Sequence, residues 1–102
     1  MAVVEVVTLQ IKPDRMDVYL EGARKSKAVF EKHGGKNVRL LSAVVAGEAT
    51  GTLAFIWEAD GPAAHGAVVE KALADPELRS TANSSAGPIA TYQITLWADI
   101  PL

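Results

Sequence analysis

Four segments of the chain carry apolar residues in the manner of β-strands: Val3 to Leu9, Val38 to Ala46, Thr52 to Glu58 and Tyr92 to Ile100. Two others carry them at helical spacing, from about Asp14 to His33 and from about Gly61 to Ala74. In the first helix the inward stripe is Met16, Tyr19, Leu20, Ala23 and Phe30. In the second it is His65, Val68, Val69, Ala72, Leu73 and, just beyond, Pro76. Pro13-Asp14 reads as a helix start, because proline loses nothing in a first turn and a carboxylate suits the positive end of the helix dipole. Gly34-Gly35 reads as its stop, since glycine accepts the left-handed conformation past a C-cap. Asp60 is the expected cap of the second helix, with Gly61-Pro62 in its first turn. Ala46 to Gly51 reads as a hairpin connection, Glu77 to Ala82 as a helical turn, and Asn83 to Pro88 as loop.

The order β-α-β-β-α-β predicts an α+β, ferredoxin-like fold: a four-stranded antiparallel sheet with two helices on one face. Right-handed crossovers place both helices on the same side, which leaves the other side bare. Four strands about 25 Å long and about 4.8 Å apart make that bare face roughly 500 Å². At about 25 cal/mol per Å², covering it is worth on the order of 12 kcal/mol gross per subunit, enough to exceed typical association costs. A homodimer through the sheet face is therefore expected.

Composition narrows the function classes. A chain of 102 residues is one domain, and 49% apolar with 22% charged residues is ordinary for a globular protein. A net charge of −2 with no clustered Lys or Arg argues against nucleic acid and anionic membranes, so partners should be neutral or greasy. The absence of cysteine removes disulfides, thiolate nucleophiles and thiolate-held metals. With no basic-then-apolar leader and no apolar run of ~20 residues, the expectation is a cytoplasmic protein that enters no membrane.

The Lys12-Pro13-Asp14 helix entry, the Gly34-Gly35 exit, the Gly47 to Trp57-Glu58 hairpin, Ala74-Asp75-Pro76-Glu77 and the apolar last strand together resemble the dimeric α+β barrel superfamily. The resemblance covers essentially the whole chain. That superfamily includes cofactor-independent antibiotic-biosynthesis-type monooxygenases, haem-degrading enzymes, lyases, isomerases and NIPSNAP-like proteins of unknown role. The resemblance implies a dimer with one pocket per subunit. Its carriers are architectural, and no catalytic set transfers residue by residue.

Candidate chemistry is sparse. His65, near the start of the second helix and on its inward stripe, is the first choice for a base, where the dipole favours neutral imidazole; the alternative is a histidine satisfied in the core. His33, at a helix end, reads as a structural cap. Tyr19 and Tyr92 could donate to a developing oxyanion, and Trp57 and Trp97 could wall a site for an aromatic ligand; for any one of them taken alone, core packing is the first reading. Lys27 is either a cation at a pocket mouth or a stem lying over the core. Glu5 interrupts an apolar central strand and needs a partner, and Arg39 has a parity that allows a Glu5–Arg39 link.

Other chemistries lack their groups. Two distant histidines make no zinc motif, and there is neither a Gly-x-Ser-x-Gly elbow nor a P-loop. The third strand, Leu53 to Glu58, lacks the basic-Gly start and final aromatic of an RNA-binding RRM. The leading expectation is a dimeric pocket enzyme for a small hydrophobic or aromatic metabolite, of the oxygenase type that needs no cofactor or metal. Its rivals are a non-catalytic ligand-binding or interaction dimer and, third, a haem binder, which would need a histidine open to the cavity.

Overall fold

The computed structural model describes residues 1–44, 51–85 and 87–102. Its elements run β1 (Val3–Ile11), α1 (Met16–Lys32), β2 (Lys36–Ser42), β3 (Leu53–Ala59), α2 (Pro62–Ala74), α3 (Pro76–Ser85) and β4 (Ile89–Ala98). The strands form one antiparallel sheet in the order β2-β3-β1-β4, with β1 and β3 at its centre, as the ferredoxin-like plan requires.

Local chemistry explains where the elements differ from expectation. Asp14 adopts φ +64° in a turn, so α1 starts later, at Met16, with Arg15 as an N-cap that makes no side-chain bond. The glycine stop holds: Gly34 sits at φ +103°, and Gly35 N–H reaches Phe30 O at 2.7 Å. A Cβ on Gly35 would fall 2.8 Å from that same oxygen, which explains why no larger residue stands there. Asp60 does not cap α2; it pairs with Lys36 Nζ at 2.6 Å, which lowers its carboxyl pKa, and Gly61 is the N-cap. The expected hairpin falls largely on residues 45–50, outside the described residues.

The stretch after α2 is a full helix, through Ser85, rather than a turn and loop. Asp75-Pro76-Glu77 starts it: Glu77 N–H donates to Asp75 Oδ1 at 2.9 Å, and proline takes the first helical position. The other oxygen, Asp75 Oδ2, takes His33 Nε2 at 2.8 Å and Lys32 Nζ at 3.2 Å, so one buried carboxylate binds the end of α1 to the α2–α3 junction. These bonds, the His33 contact first and the Glu77 amide second, hold the Asp75 pKa down to about 2. A carboxyl depressed on folding adds stability that is complete above its unfolded value near 4 and is lost as pH falls through about 2. Asp75→Asn should therefore flatten the acid limb of a stability-versus-pH curve between pH 4 and 2, measured by urea unfolding; an unchanged limb would deny the carboxylate this role.

Register divides the sheet into two faces. Val3, Glu5, Val7 and Leu9 of β1 stand opposite Ala59, Trp57, Phe55 and Leu53 of β3, all facing the helices. The main core lies there, with Trp57 fully buried and Tyr19, Ala23 and Val68 packed from above. Met16 and Leu73, expected inward, are exposed at helix margins. The far face is apolar at its centre, through Val4, Val6, Ala54 and Ile56 with Leu41 and Trp97 beside them, and polar at its rim, through Thr8, Gln10, Thr91, Gln93 and the Arg39–Glu58 pair. Among the described residues no helix is long and apolar enough to cross a membrane.

Candidate functional site

Between the sheet and the helices α1 and α3 lies a cavity of about 310 Å³. Val7, Leu9 and Phe55 form its floor and Ile89 one end. Tyr19, Ser26 and Phe30 descend from α1, and Leu78 and Thr81 close it from α3. Gly22 and Ala23 leave room on the α1 side.

Hydroxyls supply the cavity's side-chain polarity. Among the described residues that line it, none is charged and none is a histidine. Tyr19 is 6% exposed, and its Oη has no hydrogen-bond partner among the described residues. Burial pushes its pKa up to about 12, so at neutral pH it keeps its proton and can donate it in a hydrogen bond. Ser26 and Thr81 add hydroxyls at the same space. Spacing alone shows Ser26, seven residues after Tyr19 on the same stripe. Thr81 rests on a helix of which the sequence pattern shows only the turn from Glu77 to Ala82.

A second constellation sits one aromatic layer away. Trp57 Nε1–H donates to Glu5 Oε2 at 2.7 Å, and His65 Nε2 lies 3.0 Å from Glu5 Oε1. A carboxylate only accepts, so Nε2 is the donor in this bond, and His65 Nδ1 has no partner among the described residues. The imidazole stacks on the indole at 4.8 Å and 8° between planes, and Phe30 covers the indole's surroundings at 5.1 Å. Glu5 thus finds its partners on the helix face. The expected Glu5–Arg39 link is absent, because Arg39 stands opposite Ile56 while Glu5 stands opposite Trp57, which puts them on different faces. Arg39 instead binds Glu58 Oε2 at 3.1 Å, which, after the Asn37 bond, lowers the Glu58 pKa.

The structure therefore separates the candidate residues. Tyr19 lines the cavity. Trp57, Glu5 and His65 form the adjacent cluster, and His65 is turned toward Glu5 rather than open to the cavity as a haem ligand would need to be. Lys27 pairs with Glu31 at 3.1 Å, half exposed, beside Arg39 at a shallow hollow of about 220 Å³. Tyr92 and Trp97 stand exposed on opposite faces of β4, and Trp97 Nε1–H donates to Thr95 Oγ1.

Fold and site define a ferredoxin-like α+β protein with a small, uncharged cavity under its helices. No protein-family model matches the chain, and no curated protein matches it. Solved structures do. A NIPSNAP family protein from Agrobacterium tumefaciens str. C58 aligns with TM-score 0.83 at 13% identity, covering 98% of this chain and 94% of that one. An uncharacterized NIPSNAP domain protein from Burkholderia xenovorans aligns with TM-score 0.80 at 14% identity, over 96% and 94%. A candidate antibiotic biosynthesis monooxygenase from Nitrosomonas europaea aligns with TM-score 0.76 at 12% identity, over 97% and 90%. The neighbours are thus of the NIPSNAP and antibiotic-biosynthesis-monooxygenase kind, matching the fold read from the sequence. At such identities the likeness carries the fold and no activity.

Proposed function

We propose that the protein binds a small, neutral, largely apolar molecule, aromatic rings included, in the cavity beneath α3, and that it does so as a homodimer. The observation that carries the reading is the buried Tyr19 hydroxyl, without a partner among the described residues, in a space whose described lining is apolar and uncharged. A buried hydroxyl without a partner costs about 1–3 kcal/mol, which a ligand bearing an acceptor oxygen recovers. A charged ligand would lose its hydration there without compensation. The volume lies at the small end of the ~300–1,000 Å³ range of ligand pockets and suits one or two fused rings. The far sheet face supports the dimer, since an apolar centre within a polar rim is the anatomy of a protein interface.

The test is a pair of probes, naphthalene and 2-acetylnaphthalene, titrated into wild type and Tyr19→Phe. One lost hydrogen bond of about 1 kcal/mol predicts roughly five- to tenfold weaker binding of the ketone to the variant, with naphthalene unchanged. Failure of wild type to bind either probe sinks the reading.

The oxygenase reading stands second, on the carboxylate-held imidazole. Cofactor-free oxygenation needs a base, a donor for the oxyanion and a dry cavity, and Tyr19 with its apolar surroundings supplies the last two. His65 is oriented for the first but lies outside the cavity lining. Oxygen uptake on a phenolic substrate that disappears in His65→Ala would favour it, and uptake indifferent to that change would remove His65 from the chemistry.

A further inference from the structure

Strand β4 is greasy on the side where helices should cover it. Tyr92, Ile94 and Leu96 stand opposite Leu9, Val7 and Glu5, so they face the helix side of the sheet. They are nevertheless 67%, 58% and 52% exposed. Among the described residues, only the start of β4 is covered, where Ile89 packs on the core and ends the cavity. The same strand's other face is more polar, with Thr91, Gln93 and Thr95 before Trp97. An edge strand that turns its aliphatic column toward a layer its own chain does not supply is an unmanaged surface for a monomer.

We infer that the helix-side column of β4, Tyr92, Ile94 and Leu96, packs against a second copy of the chain, which thereby walls the β4 side of the cavity. The inference rests on the homodimer proposed above and adds to it a second contact surface. Area favours a second copy as the occupant. The far sheet face offers roughly 500 Å² by strand geometry, apolar only at its centre, whereas a standard interface buries about 800 Å² per partner. The two surfaces meet along the free edge of β4, so one partner wrapping that edge covers both, and a ten-residue strand, about 33 Å long, adds on the order of 200 Å² and brings the sum close to that size. The column carries no charge, so a nucleic acid or a charged peptide has nothing to pair with there. Its contact with the site is direct. Val7 and Leu9 line the cavity, and their cross-strand neighbours are Ile94 and Tyr92, so whatever covers the column also bounds the cavity beyond β1.

Ile94→Lys and Leu96→Lys test this, because both side chains are half exposed on an edge strand and a lysine there leaves the protomer's own core intact. Sedimentation velocity across a concentration series, with circular dichroism for folding, should show a wild-type dimer and variants dissociating at least 100-fold more readily. Naphthalene affinity should fall together with the dimer. A wild-type monomer at micromolar concentration overturns the dimer and this inference with it. A dimer that survives Ile94→Lys and Leu96→Lys but is broken by Val6→Lys on the far face overturns the inference alone. Dissociated variants that bind naphthalene as tightly as wild type uphold the contact and overturn its role as a cavity wall. Wild type that dimerises through the column yet binds no naphthalene contradicts the cavity reading instead.

Discussion

Trp57→Ala should cost about 3–5 kcal/mol, the largest single loss expected for this chain. Trp57 has no solvent exposure, stands at the centre of the sheet and is packed by Phe30 from α1 and His65 from α2. Its removal therefore opens a void under both helices. Domains of this size hold about 5–15 kcal/mol in total, and each kilocalorie moves Tm by about 5 °C, so a fall of about 20 °C is expected. Trp57→Phe separates packing from hydrogen bonding. It keeps most of the ring but leaves Glu5 Oε2 without a donor, and should cost about 1–3 kcal/mol in urea unfolding. If the two substitutions prove equally mild, the cluster is not the keystone described here.

Glu5→Gln should also destabilise, by about 1–3 kcal/mol, despite preserving shape. Glu5 receives N–H groups from two directions, Trp57 and His65, and only a carboxylate has an acceptor oxygen for each. An amide must turn its NH₂ toward one of them: toward the indole it sets donor against donor, and toward His65 it forces the imidazole to change tautomer and accept at Nε2. The second change His65→Ala removes that conflict, because the remaining amide oxygen can serve Trp57 alone. The double variant should then lose less than the sum of the single losses, and strict additivity would show that the three residues do not act as one network.

Much of this fold is written in alternation and punctuation. The β-branched run of β1, the Gly34-Gly35 stop and the Gly61-Pro62 start give the order of elements, and that order gives the sheet. The third helix reads in sequence only as a turn over Glu77 to Ala82, because Thr81 to Ser85 is polar and small, with no apolar stripe, although Asp75-Pro76 carries a helix-start chemistry. Partnerships were harder to read than elements. The need of Glu5 for a partner was legible from its apolar neighbours, but whether it met Arg39 or Trp57 depended on pairing register, which moves every side chain across the sheet when it shifts by one. Tyr19 could be placed on an inward stripe, yet the free space beside it depends on Gly22 and on α3, and neither signals a cavity in sequence alone. The exposure of β4 was invisible for a related reason. An apolar strand looks the same whether its own helix or another molecule covers it.

The central claim is that a neutral molecule occupies the space under α3 with its acceptor atom on Tyr19. The most direct measurement is a crystal structure of the protein grown with 2-acetylnaphthalene. The account predicts the ring between Phe55 and Leu78 and the ketone oxygen about 3 Å from Tyr19 Oη. A collapsed, unoccupied space, or the ketone lodged instead against His65 or on the outer side of the sheet, would contradict it.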